Sequence, residues 1–209
     1  MDVIRGDAAN LRRHLRKRVD AVITSPPYHN AVDYYRRHQL EMYWLDFVRN
    51  HTERVQLLPQ YIGRASVSQK HPLISRTNLT SPFACRCERM MRKWSATSAD
   101  AFKHYSLSMQ RCFASLADLL PVGGKAIFVL GKSSWNGRKL PTTELFRELA
   151  APHFRLLQHQ WYPLKNRYMT YSRHNGASID KEYVLVFERI SARKKQLSHL
   201  RKHKKCRPT

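Results

Sequence analysis

The apolar positions of this chain predict an alternation of short strands and helices. Apolar runs at Val19–Thr24 and Lys125–Gly131 predict two short buried strands. Between them, from Ala99 to Leu120, apolar residues recur at helical spacing, and the following Pro-Val-Gly-Gly is a helix stop. A strand, a helix and a second strand in this order are typical of an α/β sheet.

Further segments extend this pattern at both ends. Residues 2–8 predict a short strand, and Asn30–Val48 predicts a helix with a broadly apolar face. Thr142–Ala150 predicts a short helix. The runs Phe154–Tyr162 and Lys181–Arg189 predict a closing antiparallel strand pair. Together these elements predict an α/β fold with a mainly parallel sheet.

Residues 50–98 are the least regular part of the chain. Three prolines interrupt any long element there, and basic residues alternate with aromatic ones. Two interpretations stay open: an insertion that contacts a target, or a long surface excursion. The prolines are Pro59, Pro72 and Pro82.

Composition narrows the class of protein. A length of 209 residues suits one folded domain with appendages. No run of 18 uncharged apolar residues is present, so no membrane span is predicted, and the N-terminus does not resemble a signal peptide. Four cysteines without a regular framework favour a reducing cytoplasm. Cys85 and Cys87 lack a matching partner pair, so no metal site is predicted.

The charge of the chain predicts a polyanionic partner. Lys and Arg number 38 against 15 acids, a net charge of +23. Residues 190–209 hold eight basic residues and no acid, which leaves +15 on the body (23 minus 8). We expect residues 191–209 to form a disordered basic tail with non-specific phosphate affinity. The charge that remains on the body favours a nucleic acid as the partner.

The segment Ser25-Pro26-Pro27-Tyr28 follows the first apolar run directly. The two prolines stop the strand and have no N–H, so regular structure does not use the carbonyls around them. The Ser25 hydroxyl and the Tyr28 ring flank this rigid corner. Such a corner can hold a planar, amine-bearing nucleobase by hydrogen bonds and stacking. The alternative is a strand terminator with a packed tyrosine.

This motif resembles that of the S-adenosylmethionine-dependent DNA amino-methyltransferases, which methylate N4 of cytosine or N6 of adenine. Their motif is Ser, Asp or Asn, then Pro-Pro, then an aromatic residue; the serine form is commoner among the cytosine-N4 enzymes. The resemblance covers residues 2–48 and 99–190. It implies a partial class I, Rossmann-like methyltransferase sheet with helices on both faces, formed by residues 1–190. It also implies DNA as the substrate, as in restriction-modification systems.

The resemblance assigns roles to the motif residues. The Ser25 hydroxyl and the Pro26 carbonyl would accept hydrogen bonds from the target amine, and Tyr28 would stack on the extruded base. Pro27 completes the rigid corner. Asp7 corresponds to an acidic residue that contacts the adenine of the cofactor, although an aspartate that caps the next helix explains it almost equally well.

A binding turn for S-adenosylmethionine is missing from this pattern. The family uses a glycine-rich turn, yet none of the seven glycines here forms a G-x-G arrangement. Without the strands that carry this turn, the strand at 19–24 would have an open edge. We therefore expect a truncated or split methyltransferase with a separate cofactor-binding polypeptide, or a start codon placed too late.

Two other functions stay open. One is an RNA methyltransferase acting on the N2 amine of guanine, which Ser25 disfavours because related enzymes have aspartate there. The other is a non-catalytic, basic DNA-binding remnant, which predicts salt-sensitive duplex binding without methyl transfer.

Overall fold

The fold is built on a four-stranded mixed sheet. The computed structural model describes residues 2–29, 34–131, 133–135, 138–164 and 181–191. The sheet has the order β1-β2-β6-β5, and a separate hairpin is formed by β3 and β4. The strands are β1 (Ala21–Thr24), β2 (Lys125–Gly131), β3 (Ser133–Trp135), β4 (Arg138–Leu140), β5 (Phe154–Pro163) and β6 (Lys181–Arg189).

Helices occupy the connections between the strands. The longest, α6, begins after Ser95, whose side chain accepts a hydrogen bond from the Ser98 amide, and it ends before Leu120. No helix among the described residues is both long enough and apolar enough to cross a membrane. The helices are α1 (Tyr34–Arg37), α2 (Gln39–Trp44), α3 (His51–Leu57), α4 (Pro72–Arg76), α5 (Pro82–Arg92), α6 (Ala96–Leu119) and α7 (Thr142–Ala150), with 3-10 turns at Ala8–Arg13 and Leu58–Gln60.

The α/β class and the closing antiparallel pair are confirmed, but the sheet is not mainly parallel. β1 and β2 form the one parallel pair among the described strands. β6 runs antiparallel to both of its neighbours, β2 and β5. The chain therefore reaches the far edge of the sheet with β5 and returns through β6 to the middle.

One face of the sheet carries the core. Ala126, Phe128 and Leu130 alternate along β2 and are fully buried. Phe113 of α6 and Phe146 of α7 pack on this face, in ring contact with Phe128. The opposite face of β2 and β6 is half-buried, so the predicted burial of β2 is confirmed in full for one face. Helices over that second face stay a prediction.

β1 lies at the edge of the sheet and is less buried than predicted. Its residues alternate between exposed and half-buried, and Ile23 is 74% exposed. Within the described part of the chain no strand pairs with its second edge. The expected open edge is confirmed there, and it explains why an apolar run reaches the surface.

Two N-terminal predictions are wrong in detail. Residues 2–7 form no regular structure, so the predicted first strand is absent. The predicted helix over 30–48 is two short helices, α1 and α2, where it is described; residues 30–33 lie outside the described part. Its apolar face is not uniformly buried, because Met42 packs inward while Leu40 and Trp44 are 75% and 90% exposed.

Residues 50–98 are more regular than predicted. Pro72 and Pro82 begin α4 and α5 rather than breaking an element. A proline suits the first helical position because its missing N–H would have no partner there and its φ is already helical. The segment therefore carries short helices. The predicted tail lies outside the described residues from 192 onward.

Candidate functional site

The motif corner lies immediately beyond β1, at the edge of the sheet. Ser25 is exposed, Pro26 is buried and Pro27 is half-buried. Ser25 is thus an exposed residue that directly precedes two prolines, and each proline fixes its own φ angle. This is the arrangement expected of a group that meets a substrate from outside the fold.

Tyr28 is buried, and its hydroxyl lies in a polar cluster. The residue is only 6% exposed. Its hydroxyl lies 3.2 Å from the Ser25 hydroxyl, 3.3 Å from Oε1 of Glu182 and 3.4 Å from the Val129 carbonyl oxygen. Because the ring is covered, a base would stack on it only after the neighbouring groups move. The stacking role stays a prediction.

Side chains of α6 hold the corner from below. The Tyr105 hydroxyl donates a hydrogen bond of 2.9 Å to the Pro27 carbonyl. His29, which is 2% exposed, meets the ring of Phe102 edge-on at 5.4 Å and the ring of Tyr105 at 5.2 Å. Burial lowers the pKa of His29 to about 4, so its imidazole is neutral at pH 7. The corner is thus attached to the core by packing and by the hydrogen bond from Tyr105.

A large cavity opens beside the corner. Its volume is about 1350 Å³, and its walls come from the N-terminal segment, α2, the region after α3 and α6. Asp7 and Pro27, which are 20 positions apart in the chain, both line it. Apolar groups such as Phe47 and Tyr61 contribute much of the remaining wall. The cavity is larger than a nucleoside-sized ligand needs.

Two neutral histidines face each other at this cavity. The rings of His71 and His104 meet edge-on with 4.7 Å between centroids. His104 is 3% exposed, and its Nδ1 has no hydrogen-bond partner within the described ranges. Burial, and to a lesser degree the nearby His71 and Arg64, lowers the pKa of His104 to about 4. Burial followed by Arg64 also lowers the pKa of His71. At pH 7 both rings are uncharged and able to hydrogen-bond a polar ligand.

Asp7 forms the cap that the alternative interpretation expects. Its Oδ1 accepts a 2.9 Å hydrogen bond from the Ala9 amide, and its Oδ2 accepts one of 2.8 Å from Nδ2 of Asn10. The side chain is exposed and lies on the rim of the same cavity as Pro27. A carboxylate has further acceptor sites, so the cap leaves room for a ligand. Its contact with a cofactor stays a prediction.

A basic surface leads away from the cavity. The turn at Ala8–Arg13 is held on α6 by a 2.8 Å hydrogen bond from the Leu11 amide to the Ser115 hydroxyl. The end of this turn and the residues that follow it expose several cations, which suits contact with phosphates but carries no sequence specificity. These cations are Arg12, Arg13, Arg16, Lys17 and Arg18.

Three site residues escaped prediction from the sequence. Glu182 is 154 positions from Tyr28, and Tyr105 and His104 lie in a run that predicts only a packed helix. Nothing in the local pattern marks them, because their positions depend on how β6 and α6 pack against the corner. Ser25 to Tyr28 lie together as their sequence requires, and Asp7 lines the same cavity as Pro27.

The comparisons with known proteins yield a partial likeness of structure. No family model and no curated protein matches this sequence. The structure of a candidate DNA modification methylase from Thermus thermophilus, complexed with S-adenosyl-L-methionine, is similar over 47% of this chain and 42% of that chain, with 17% identity and a TM-score of 0.36. The selenomethionine derivative of the same protein is similar over 53% of this chain and 42% of that chain, with 17% identity and a TM-score of 0.34. This chain thus spans less than half of the proteins it matches, and a likeness at this level says nothing about chemistry.

Proposed function

We propose that this chain transfers a methyl group from S-adenosylmethionine to an exocyclic amine of a DNA base, with N4 of cytosine as the preferred target. The observation that carries the proposal is the exposed Ser25 hydroxyl on a rigid Pro-Pro corner beside a large cavity. The resemblance of the motif to the amino-methyltransferases and the basic surface support it.

The corner would act by orienting the amine. The Ser25 hydroxyl and the Pro26 carbonyl each accept one N–H of the amine, which turns the nitrogen lone pair out of conjugation with the ring. The nitrogen then points toward the methyl group to be transferred. Catalysis of this kind depends on orientation and electrostatics and needs no covalent intermediate. The two prolines contribute by fixing where both acceptors lie.

The cavity is large enough for the methyl donor, and its lining supports this proposal. S-adenosylmethionine supplies an electrophilic methyl group on a sulfonium centre. Asp7 and the unpartnered Nδ1 of His104 offer hydrogen-bonding groups to its polar parts, and the apolar wall offers a surface for its adenine. Asp7 and Pro27 would therefore hold the donor beside the corner.

A transfer assay tests the proposal directly. The chain is incubated with radiolabelled S-adenosylmethionine and either duplex DNA or RNA, both as purified protein and in a lysate of its source cells. In the lysate, which can supply the separate polypeptide proposed below, we expect label in DNA, with the methyl group on an exocyclic amine; the purified chain alone should transfer little. The basic surface predicts binding that weakens steeply between 50 and 200 mM salt, by about 10³-fold for six phosphate contacts. Label in RNA alone would point to the guanine-N2 reaction, and salt-sensitive binding without label to a non-catalytic remnant.

We further propose that a separate polypeptide completes the donor site. The open edge of β1 and the absence of a glycine-rich turn support this. We expect calorimetry to show no S-adenosylmethionine binding to the purified chain at donor concentrations of about 1 mM, a level corresponding to about 4 kcal/mol of binding free energy. Micromolar affinity of the purified chain would show instead that its own cavity is sufficient.

A further inference from the structure

A series of neighbouring hydroxyl groups connects the motif corner to a carboxylate on β6. The Ser25 hydroxyl lies 3.2 Å from the Tyr28 hydroxyl, which lies 3.3 Å from Oε1 of Glu182. The Tyr162 hydroxyl of β5 donates to Oε2 of the same carboxylate. The Ser25–Tyr28 and Tyr28–Glu182 separations exceed the usual 2.7–2.8 Å of hydroxyl hydrogen bonds, and catalytic hydrogen bonds often tighten only in the complex with substrate. This series of groups begins at Ser25, which is exposed, and ends at Glu182, which is half-buried.

The Glu182 carboxylate, at one end of this series of groups, determines the direction of the hydrogen bond that it shares with Tyr28. A carboxylate only accepts hydrogen bonds, so Tyr28 is the donor in its contact with Glu182, and the Val129 carbonyl oxygen at 3.4 Å is a second acceptor for the same proton. When Tyr28 donates to either acceptor, its oxygen can accept from the Ser25 hydroxyl. Both lone pairs of the Ser25 oxygen are then available to accept hydrogen bonds. Glu182 therefore orients Ser25 as an acceptor, which is the role that the proposed function requires of it.

We propose that Ser25, Tyr28 and Glu182 form a relay that removes the proton lost by the amine during methylation. This inference rests on the proposed function. As the N–C bond forms and the S–C bond breaks, the amine proton passes to the Ser25 oxygen, the Ser25 proton passes to Tyr28, and the Tyr28 proton passes to Glu182. The products are the methylated amine, a neutral thioether and a protonated Glu182, so atoms and charge balance. Glu182 acts through Tyr28 and does not touch the substrate.

The relay assigns Tyr28 a role in proton transfer, which its hydroxyl can perform although its ring is buried. Its ring is covered, but its hydroxyl lies between the two other members. Tyr28 and Tyr162 are the titratable groups that contact Glu182 within the described ranges. A protonated carboxyl group cannot take up a further proton, so the relay requires Glu182 as a carboxylate.

Glu182→Gln tests the relay because it keeps the size and one acceptor oxygen of the side chain but accepts no proton. With the full chain and the DNA assay above, we expect kcat to fall about 10²-fold, a typical contribution of general-base catalysis, with KM for DNA changed less than about twofold. The wild-type kcat should fall as the pH is lowered into the range in which carboxylates protonate. Glu182→Gln should lack this acidic limb, an effect that a merely structural role would not produce. Glu188→Gln, on the same strand but paired with Lys125 and Arg155, is the matched control and should keep the wild-type rate and pH profile.

A second measurement tests the contact without any turnover. In protein labelled with ¹³C at the glutamate carboxyl carbon, the signal that disappears in Glu182→Gln belongs to Glu182. We expect Tyr28→Phe to shift this signal, and an unshifted signal would overturn the relay. A wild-type rate and acidic limb in Glu182→Gln would also overturn the relay while leaving the proposed function intact. A wild-type chain that labels no nucleic acid in either preparation would overturn both.

Discussion

Replacing Ser25 by alanine is expected to lower kcat for methyl transfer by about 10²- to 10³-fold, the range found when one hydrogen-bonding group at a reacting centre is removed. The hydroxyl is the side-chain acceptor at the corner, and the Pro26 carbonyl alone would not hold both N–H groups of an amine. KM for DNA should change little, because phosphate contacts elsewhere supply most of the affinity. Steady-state kinetics with labelled S-adenosylmethionine measure both values.

The structure provides a clean control for this variant. Ser25 is exposed, so its replacement should leave the free energy of unfolding within about 0.5 kcal/mol of the wild-type value. Ser75→Ala removes a hydroxyl that is also exposed, on α4, and should retain full activity. A Ser25→Ala protein that transfers methyl groups at the wild-type rate would show that the catalytic assignment is wrong.

The elements that the sequence predicts well have signals that are complete within a short stretch. β2 has a continuous apolar run, and α6 has apolar residues at helical spacing followed by a Pro-Val-Gly-Gly stop. The positions of both, and of α7, are confirmed within a few residues. The corner at Ser25-Pro26-Pro27-Tyr28 belongs to this class, because two prolines dictate their own backbone.

A proline misleads a sequence-based prediction when the pattern does not show whether it interrupts a helix or begins one. Pro72 and Pro82 interrupt any long element, yet each is the first residue of a helix. At Pro82 the start signal was present, since Ser81 precedes it and accepts a hydrogen bond from the Ala84 amide. A serine followed by proline is thus a start signal here as much as a stop.

Burial could not be predicted at the edges of the fold. An apolar period shows which face of an element is apolar, but not whether anything covers it. Ile23 and Trp44 both occupy positions that the pattern predicts as buried, and they are 74% and 90% exposed. The polar cluster at Tyr28 was equally hidden, because Glu182 approaches it only through the pairing of β6 with β2. Such contacts depend on the sheet register, which no local pattern encodes.

Phe113→Ala is expected to lower the free energy of unfolding by about 3–5 kcal/mol, the usual cost of removing a buried phenylalanine ring. Phe113 is fully buried in the middle of α6. Its ring contacts four others, from β2, α7, β5 and β6, at centroid distances of 5.1 to 6.1 Å. Alanine would leave a cavity where these elements meet, and such a loss is a large part of the roughly 5–15 kcal/mol that stabilises a typical domain. Equilibrium unfolding in urea measures this loss in the free energy of unfolding. The partner rings are Phe128, Phe146, Phe154 and Phe187.

Phe47→Ala is the matched control, because it makes the same chemical change at a residue that is 63% exposed, and it should cost less than about 1 kcal/mol. If the two variants lost equal stability, Phe113 would not lie at the centre of the core. The same core holds the site together, since β1 and β6, which carry Ser25 and Glu182, are both paired with β2. Phe113→Ala should therefore also lower methyl transfer above its reduced unfolding temperature, whereas Ser25→Ala should lower it at every temperature. This difference separates loss of the fold from loss of the chemistry.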